Sequence, residues 1–380
     1  MQFPLKYDYR DILSAPASAL AAKRILVMTL FLCAGLALYD LFCYVALAIE
    51  GEKVGRAFSV YGFFPFESFS FDSLVAAIVY WSGGLLALLA VMTGMTAVAA
   101  FEIEAIRGYP FLGIRKSIGF ALSRFKQLFL SELSVVAFVL LIIILIFIYG
   151  LIGRIPFIGE WIYVVFFVLP GFVIAILTVF IVLVFIISVL LLPAVAAANR
   201  SGETFDSILE TFSTIIRQPI RWIFYTLISA AAAKVFGFVY AYFAFRAVQF
   251  LTWSSSLGGG DNITNLVKSG VNHLPVKSDV AVYTFNLFEG IDWGINVAAW
   301  SRGGTADSAV SYFMAFMLFI IFASIFGYML SVIATAQARA VVIIRKLKDD
   351  YNIADEKPLF YKEEHINPKM DAEQTGTKSD

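Results

Sequence analysis

The side chains in this chain that could do chemistry are few, and most of them interrupt long apolar runs. Asp40 falls inside the run 25–49, and Lys234 and Arg246 fall inside the run 220–250. A charge at that depth in hydrocarbon is costly, so it pairs, lines a wet path or reaches for headgroups. Asp40 lies roughly 24 Å beyond Arg24 at helical rise, and Lys234 lies roughly 20 Å into its own run. If both helices run the same way, Asp40 and Lys234 reach similar depth and form a candidate ion pair. Such a pair either locks two helices or marks a polar site on a transport path. Arg246, nearer the end of its run, is expected to snorkel to the interface. Glu102 and Glu104 are spaced like a carboxylate pair for metal or proton chemistry. With Arg107 beside them at the close of an apolar run, they read instead as a solvated face. Cys33 and Cys43 are about 15 Å apart on one helix, too far for a disulfide. No phosphate loop, nucleophile elbow, dinucleotide glycine pattern or His/Cys metal spacing is present. The sequence therefore predicts no catalytic residues, no metal site and no cofactor.

The elements that must position these groups follow from composition. The chain of 380 residues is 60% hydrophobic and 15% charged, with 38 phenylalanines and zero formal net charge. Its mean hydropathy is +0.84. A soluble domain is nearer half apolar and a quarter charged, so the surplus must face lipid. A neutral chain without a basic face gives no reason to expect nucleic acid. Six runs are long enough to span a bilayer: 25–49, 74–101, 129–152, 161–198, 220–250 and 309–344. The fourth contains Pro170-Gly171. Two readings stay open there: an interfacial or re-entrant turn over 158–169 followed by a crossing at 171–198, or one long kinked helix.

Lysine and arginine set the expected orientation. With the N-terminus cytoplasmic, twenty of the 28 basic residues fall on the inner side, six in outer loops and two in the fifth span. This matches the positive-inside rule and predicts both termini in the cytoplasm. The N-terminal 1–24 form a cytoplasmic segment without a cleavage pattern, 25–345 the membrane domain, and 346–380 a polar tail. The tail lacks periodicity and is expected to be mobile unless a partner holds it. In this topology His273 and His365 lie on opposite sides and share no site. The first outer loop is aromatic, with Tyr61, Phe63, Phe64, Phe66, Phe69 and Phe71. The largest outer region, 252–308, is expected to form a small cap. It opens on Ser254–Asp261, a flexible linker by composition.

An internal repeat organises the middle of the chain. Ala97-Val98-Ala99-Ala100 closes one apolar run and Ala194-Val195-Ala196-Ala197 closes another. Gly108, Phe111, Ile114 and Ser117 then align with Gly202, Phe205, Ile208 and Thr211. The repeated unit is a span, a short amphipathic helix and a second span. In the second copy Phe205, Ile208, Leu209, Phe212, Ile215 and Ile216 recur on one helical face, opposite Asp206, Glu210, Thr214 and Arg217. The first copy places Phe111, Ile114, Ile118, Leu122 and Phe125 on one side. Both helices are too short to span, so they should lie on the cytoplasmic surface with apolar faces toward bilayer or bundle. Either they are elbows between spans or they are docking platforms. Small residues stripe the second, fifth and sixth spans, as close helix packing in lipid requires. The expected fold is all-α: a polytopic membrane protein of about six transmembrane helices with two amphipathic surface helices in an internal repeat.

The opening Asp11–Val27 and the block Pro193-Ala-Val-Ala-Ala…Gly202…Phe205-Asp-Ser-Ile208…Thr211-Phe212…Arg217-Gln-Pro219 resemble a loose group of uncharacterised bacterial six-span proteins. The surface-helix pattern is also similar to the membrane domain associated with some glycerophosphodiester phosphodiesterases. That resemblance implies an integral protein of the bacterial inner membrane, and no catalytic domain carries over with it. The expected role is a non-enzymatic structural or accessory subunit of a larger assembly, with membrane lipids and other membrane subunits, or further copies of itself, as partners. The alternative is a transporter or lipid-handling protein.

Overall fold

The computed structural model describes residues 5–65, 69–274 and 308–360. Phe66, His365 and most of the expected cap, 275–307, lie outside them. Among the described residues the chain is helical and contains no strand. In chain order the helices are α1 (Tyr9–Leu13), α2 (Ala15–Ala19), α3 (Ala22–Ile49), α4 (Val54–Tyr61), α5 (Leu74–Ile106), α6 (Ile114–Ser123) and α7 (Phe125–Ile152). They continue as α8 (Ile158–Phe166), α9 (Phe172–Ala198), α10 (Thr204–Arg217), α11 (Pro219–Asn272) and α12 (Ala309–Asp349). Six of these segments are long and apolar enough to cross a membrane, and the fold is that of an all-α polytopic membrane protein.

Small residues set the helix pairs. α3 packs along α5, α11 along α12, and α12 also touches α3, α5 and α9. A Cβ at Gly94 would lie 2.7 Å from Phe31 Cβ, and one at Gly35 would lie 3.0 Å from the Ala87 carbonyl oxygen. Glycine at these positions lets α3 and α5 meet backbone to side chain, which substitutes for hydrophobic drive in lipid. Gly237 against Met329 and Gly327 against Thr29 do the same for α11–α12 and α3–α12.

The six spans bring both chain ends and both amphipathic helices α6 and α10 to one face, here called the terminal face. Burial concentrates there. Met92–Glu104 on α5, Leu191–Ala198 on α9 and Ala334–Ile344 on α12 converge, with few gaps, into one core. The two Ala-Val-Ala-Ala segments are thus neighbours in space: their small side chains let three helix ends close together. The opposite ends of α7 and α9 form an apolar hairpin with Leu145, Phe147, Phe172 and Val179 exposed.

Two expectations change. Ser254–Asp261 is mostly helical rather than a linker: α11 continues to Gly259, breaks at Gly260, whose φ of 59° only glycine takes easily, and resumes as a second helical stretch after it. Serine hydroxyls there bond back to carbonyls one turn earlier, as Ser255 Oγ does to Leu251 O (2.5 Å), so a polar composition still makes helix. At Pro170 the chain does not leave the helix. α8 passes into α9 through a π-turn at Phe167–Gly171, which absorbs the missing proline N–H. Of the two readings of this segment, the long deformed helix is the one the structure has.

Candidate functional site

Two carboxylates of the terminal face are buried, and that overturns the solvated reading of Glu102 and Glu104. Both carboxylates are at most 3% exposed. Each sits at the last turn of α5, where the alanine-rich helix end is enclosed by α12, the N-terminal segment and the tail.

Glu102 lies between two guanidinium groups from different ends of the chain. Arg24 Nη1 is 2.5 Å from Oε2 and Arg339 Nε is 2.6 Å from Oε1. Ser18 Oγ donates to Oε2 at 2.8 Å. Arg339 also donates to the Asp11 carbonyl oxygen (2.6 Å) and Ser14 Oγ (2.5 Å), and Arg24 to Thr335 Oγ1 (3.2 Å). One carboxylate thereby ties the N-terminal segment, the first span, the second span and the last span together. A buried charge of this kind is tolerable only with close partners and filled hydrogen-bond positions.

Glu104 belongs to a second cluster. Arg107 Nη1 donates to its Oε1 at 3.0 Å, while Arg107 Nη2 reaches Glu356 Oε2 (2.6 Å) and the Ala198 carbonyl oxygen (3.0 Å). Arg200 Nε donates to the same Glu356 oxygen at 2.8 Å. The backbone N–H groups of Leu359 and Phe360 donate to Glu104 Oε2 at 2.9 and 3.4 Å. Burial pushes the Glu356 carboxyl upward, but hydrogen bonds from Tyr351 and Arg200 and the pair with Arg107 outweigh it. The group sits below its ordinary value. A third cluster joins Glu210 of α10 to Arg345 (3.0 Å) and Lys348 (3.2 Å) of α12, with Asn199 taking the other arm of Arg345.

These contacts correct the expectation for the tail. Residues 351–360 are held by the chain itself: Ile353 is fully buried, Asn352 accepts from Tyr7 Oη at 2.8 Å, and Phe360 packs edge-on to Phe120 at 5.7 Å. The rest of the tail lies outside the described residues.

The α10 face is inverted relative to the simplest bundle packing. Phe205, Leu209 and Ile216 are exposed, while Ser207, Thr211 and Thr214 are buried, with Ile215 at their edge and Ile208 and Phe212 half-buried. The inner neighbours explain this. Ser207 Oγ accepts from Gln127 and Asn199, and Glu210 answers Arg345. Thr214 and Glu210 thus turn inward, and the apolar face is split: Phe205, Leu209 and Ile216 turn outward while Ile215 and Phe212 pack on the core. On α6 Ser117 is likewise fully buried, its Oγ donating to Ala97 O at 2.8 Å, while Phe111 and Leu122 are exposed.

Asp40 and Lys234 are not brought together. Asp40 Oδ1 accepts from the backbone N–H of Phe64 at 3.0 Å. Phe64 has φ of 58°, so Asp40 pins a strained turn of the far-face loop. Lys234 faces outward because Ala233, Gly237 and Ala241 occupy the side of α11 that meets α12. Arg246 is half-buried, donates to Gln249 Oε1 at 2.7 Å and lies over the Tyr242 ring at 5.1 Å. His273 Nδ1 is 2.6 Å from Ser269 O, and the ring stands on Tyr312. Glu132, inside the third span, escaped the sequence reading although it is a lone carboxylate between Ser131 and Leu133.

On the terminal face an open cleft of about 630 Å³ lies between the N-terminal segment and the α10–α11 corner, lined by Tyr7, Asp8, Arg217, Arg221 and Phe224. Among the described residues no three His, Cys, Asp or Glu side chains converge as a metal site. Comparison of the chain with protein-family models, with curated proteins and with solved structures gives no match.

Proposed function

We propose that this integral membrane protein is a non-enzymatic structural or accessory subunit of a larger membrane assembly, and that the terminal face is its docking platform and faces the cytoplasm. The observation that carries this reading is the charge network. Glu102, Glu104, Glu210 and Glu356 spend their charge on arginines and lysines of the same chain, which ties both chain ends onto the spans. A face organised this way presents a fixed surface rather than a reactive pocket. Around it Arg115, Lys116, Lys126 and Arg221 remain exposed. They are suited to acidic partners or anionic headgroups, and their number on this side agrees with a cytoplasmic orientation. The outward apolar faces of α6 and α10 supply contact area at the same level. The resemblance to six-span bacterial membrane domains points the same way, to an inner-membrane module.

The test is the native mass after gentle extraction. The protomer is 42.1 kDa. The reading expects a heavier complex that survives dilution, and a lone protomer across mild detergents and lipid nanodiscs contradicts it.

A further inference from the structure

Glu132 differs from Glu102, Glu104 and Glu210, which face cations, and from buried Asp11, which accepts from two backbone N–H groups. It sits in the second turn of α7 and is 4% exposed. Glu102, Glu104 and Glu210 each face arginine or lysine, but among the described residues no cation lies within ion-pair range of Glu132. From α9 it is met by Ser188, whose Oγ is 3.1 and 3.3 Å from the two carboxyl oxygens. The same Oγ is 2.7 Å from the Phe185 carbonyl oxygen.

Hydrogen counting bears on the protonation of the pair. A serine hydroxyl carries one hydrogen for three acceptor oxygens, and a carbonyl oxygen can only accept. When the shortest contact, to Phe185 O, takes that hydrogen, the Ser188 oxygen turns lone pairs toward Glu132. Two oxygens bearing only lone pairs repel, and the contact holds if Glu132 brings the proton. The surroundings agree. α7 packs against α5, α6, α8, α9 and α10. Among the charged groups on or flanking these elements, Arg124 is committed to the carbonyls of Asn199 and Arg200 and Glu210 to Arg345 and Lys348, while Lys126 of α7 is exposed. Glu203 offers its backbone carbonyl to Gln127.

A polar row leads to this acid from the terminal face. Gln127 and Ser131 are one turn apart on α7, both at most 3% exposed. Gln127 Nε2 bonds to Ser207 Oγ on α10, whereas Gln127 Oε1 and Ser131 Oγ are buried without a partner. Orphaned buried polar atoms in a native fold ask for a ligand or a water.

We propose that Glu132 is an intramembrane proton-binding site: a neutral carboxylic acid hydrogen-bonded to Ser188 and reached from the terminal face along Gln127 and Ser131. The ligand is the proton itself. This goes beyond the docking role and stands without it.

The experiment uses the full chain in membranes. A hydrophobic carbodiimide, which reacts with protonated carboxyls in apolar surroundings, is added at neutral pH and the adduct is mapped by mass spectrometry. The expected result is an adduct on Glu132, absent from ion-paired Glu102, which declines as pH is raised on the terminal side. Sodium, compared with choline at constant pH, should leave the yield unchanged. Infrared spectroscopy guards against poor reagent access: a protonated-carboxyl carbonyl band should be present and should vanish in Glu132→Gln. Absence of that band overturns the proposal, as does protection of Glu132 by sodium, which would make this a cation site instead.

Discussion

The terminal and far faces of this protein are held by different physics. On the terminal face most buried charges are answered by a charge from a distant part of the chain: Arg24 and Arg339 at Glu102, Arg107 and Arg200 at Glu356, Arg345 and Lys348 at Glu210. Asp11 is the exception and accepts from the backbone N–H groups of Lys6 and Tyr7. On the far face the glue is aromatic. Tyr44, Phe58 and Phe63 meet in series, tilted and then edge-to-face, and Tyr61, Phe69, Phe71 and Tyr80 form a second group over Cys43 and Leu47. Asp40, half-buried on that face, bonds a backbone N–H rather than a cation. The difference teaches where specificity resides. Aromatic contacts tolerate small rearrangement at a cost of about 0.5–1.5 kcal/mol per pair, whereas a buried ion missing its partner costs several times that. The terminal face should therefore behave as one cooperative unit and the far face as a set of local contacts.

The sharpest way to break that contrast is Glu102→Gln. It leaves Arg24 and Arg339 without an anion and should cost about 3–5 kcal/mol. Thermal unfolding in detergent should show a large drop. A loss no greater than that of a far-face aromatic truncation such as Phe69→Ala would erase the distinction.

Arg107→Met tests the second cluster. It removes the group that joins Glu104, Glu356 and Ala198 O, so the tail should detach while the spans stay folded. Limited proteolysis should then cut within 351–360 well before the membrane domain. An unchanged cleavage pattern would show that the hydrophobic contacts of Ile353 and Phe360 hold the tail alone.

Acidification should loosen the same strap. The folded Glu356 value lies below the ordinary one, so its contribution is complete above the usual carboxylate range, about 4.3. It is lost as pH falls through the lower folded-state value. Since the group is only part-buried, solvent screening keeps this effect modest. A spin label at Lys357→Cys should gain mobility only at acid pH, and a gain on the alkaline side would reverse the sign.

The smallest effect belongs to Asp40→Asn. Losing a charge-assisted bond to Phe64 N–H should cost about 1.5–3 kcal/mol at most, and less where the asparagine oxygen still accepts. With Lys234→Met the two changes should add within about 0.5 kcal/mol, since the groups do not touch. Strong coupling between them would restore the ion pair that the structure lacks.

Much of the fold was legible because membranes impose simple rules. The six spans, the small-residue stripes and the side shared by both termini follow from hydropathy, glycine and alanine spacing, and chain parity. The site was less legible. Glu102 and Glu104 look solvated when Arg107 is the only cation in view, because their decisive partners lie 78 residues before and more than 230 residues after them in Arg24, Arg339 and Glu356. Tail residues 351–360 read as polar and aperiodic, yet a polar segment is what a face of buried charges can bind. Ser254–Asp261 misled for a local reason: serine and glycine composition does not reveal hydroxyls bonded back into a helix. Glu132 was visible in the sequence, and its single position within an apolar run was the signal.

The contrast between the two faces requires that residues 351–360 belong to the protein's own terminal face. Hydrogen–deuterium exchange on the isolated full chain in nanodiscs reads this without a mutation. The backbone N–H groups of Leu359 and Phe360, bonded to Glu104, should exchange far more slowly than in a free peptide of the same sequence. Exchange at the free-peptide rate would contradict the account.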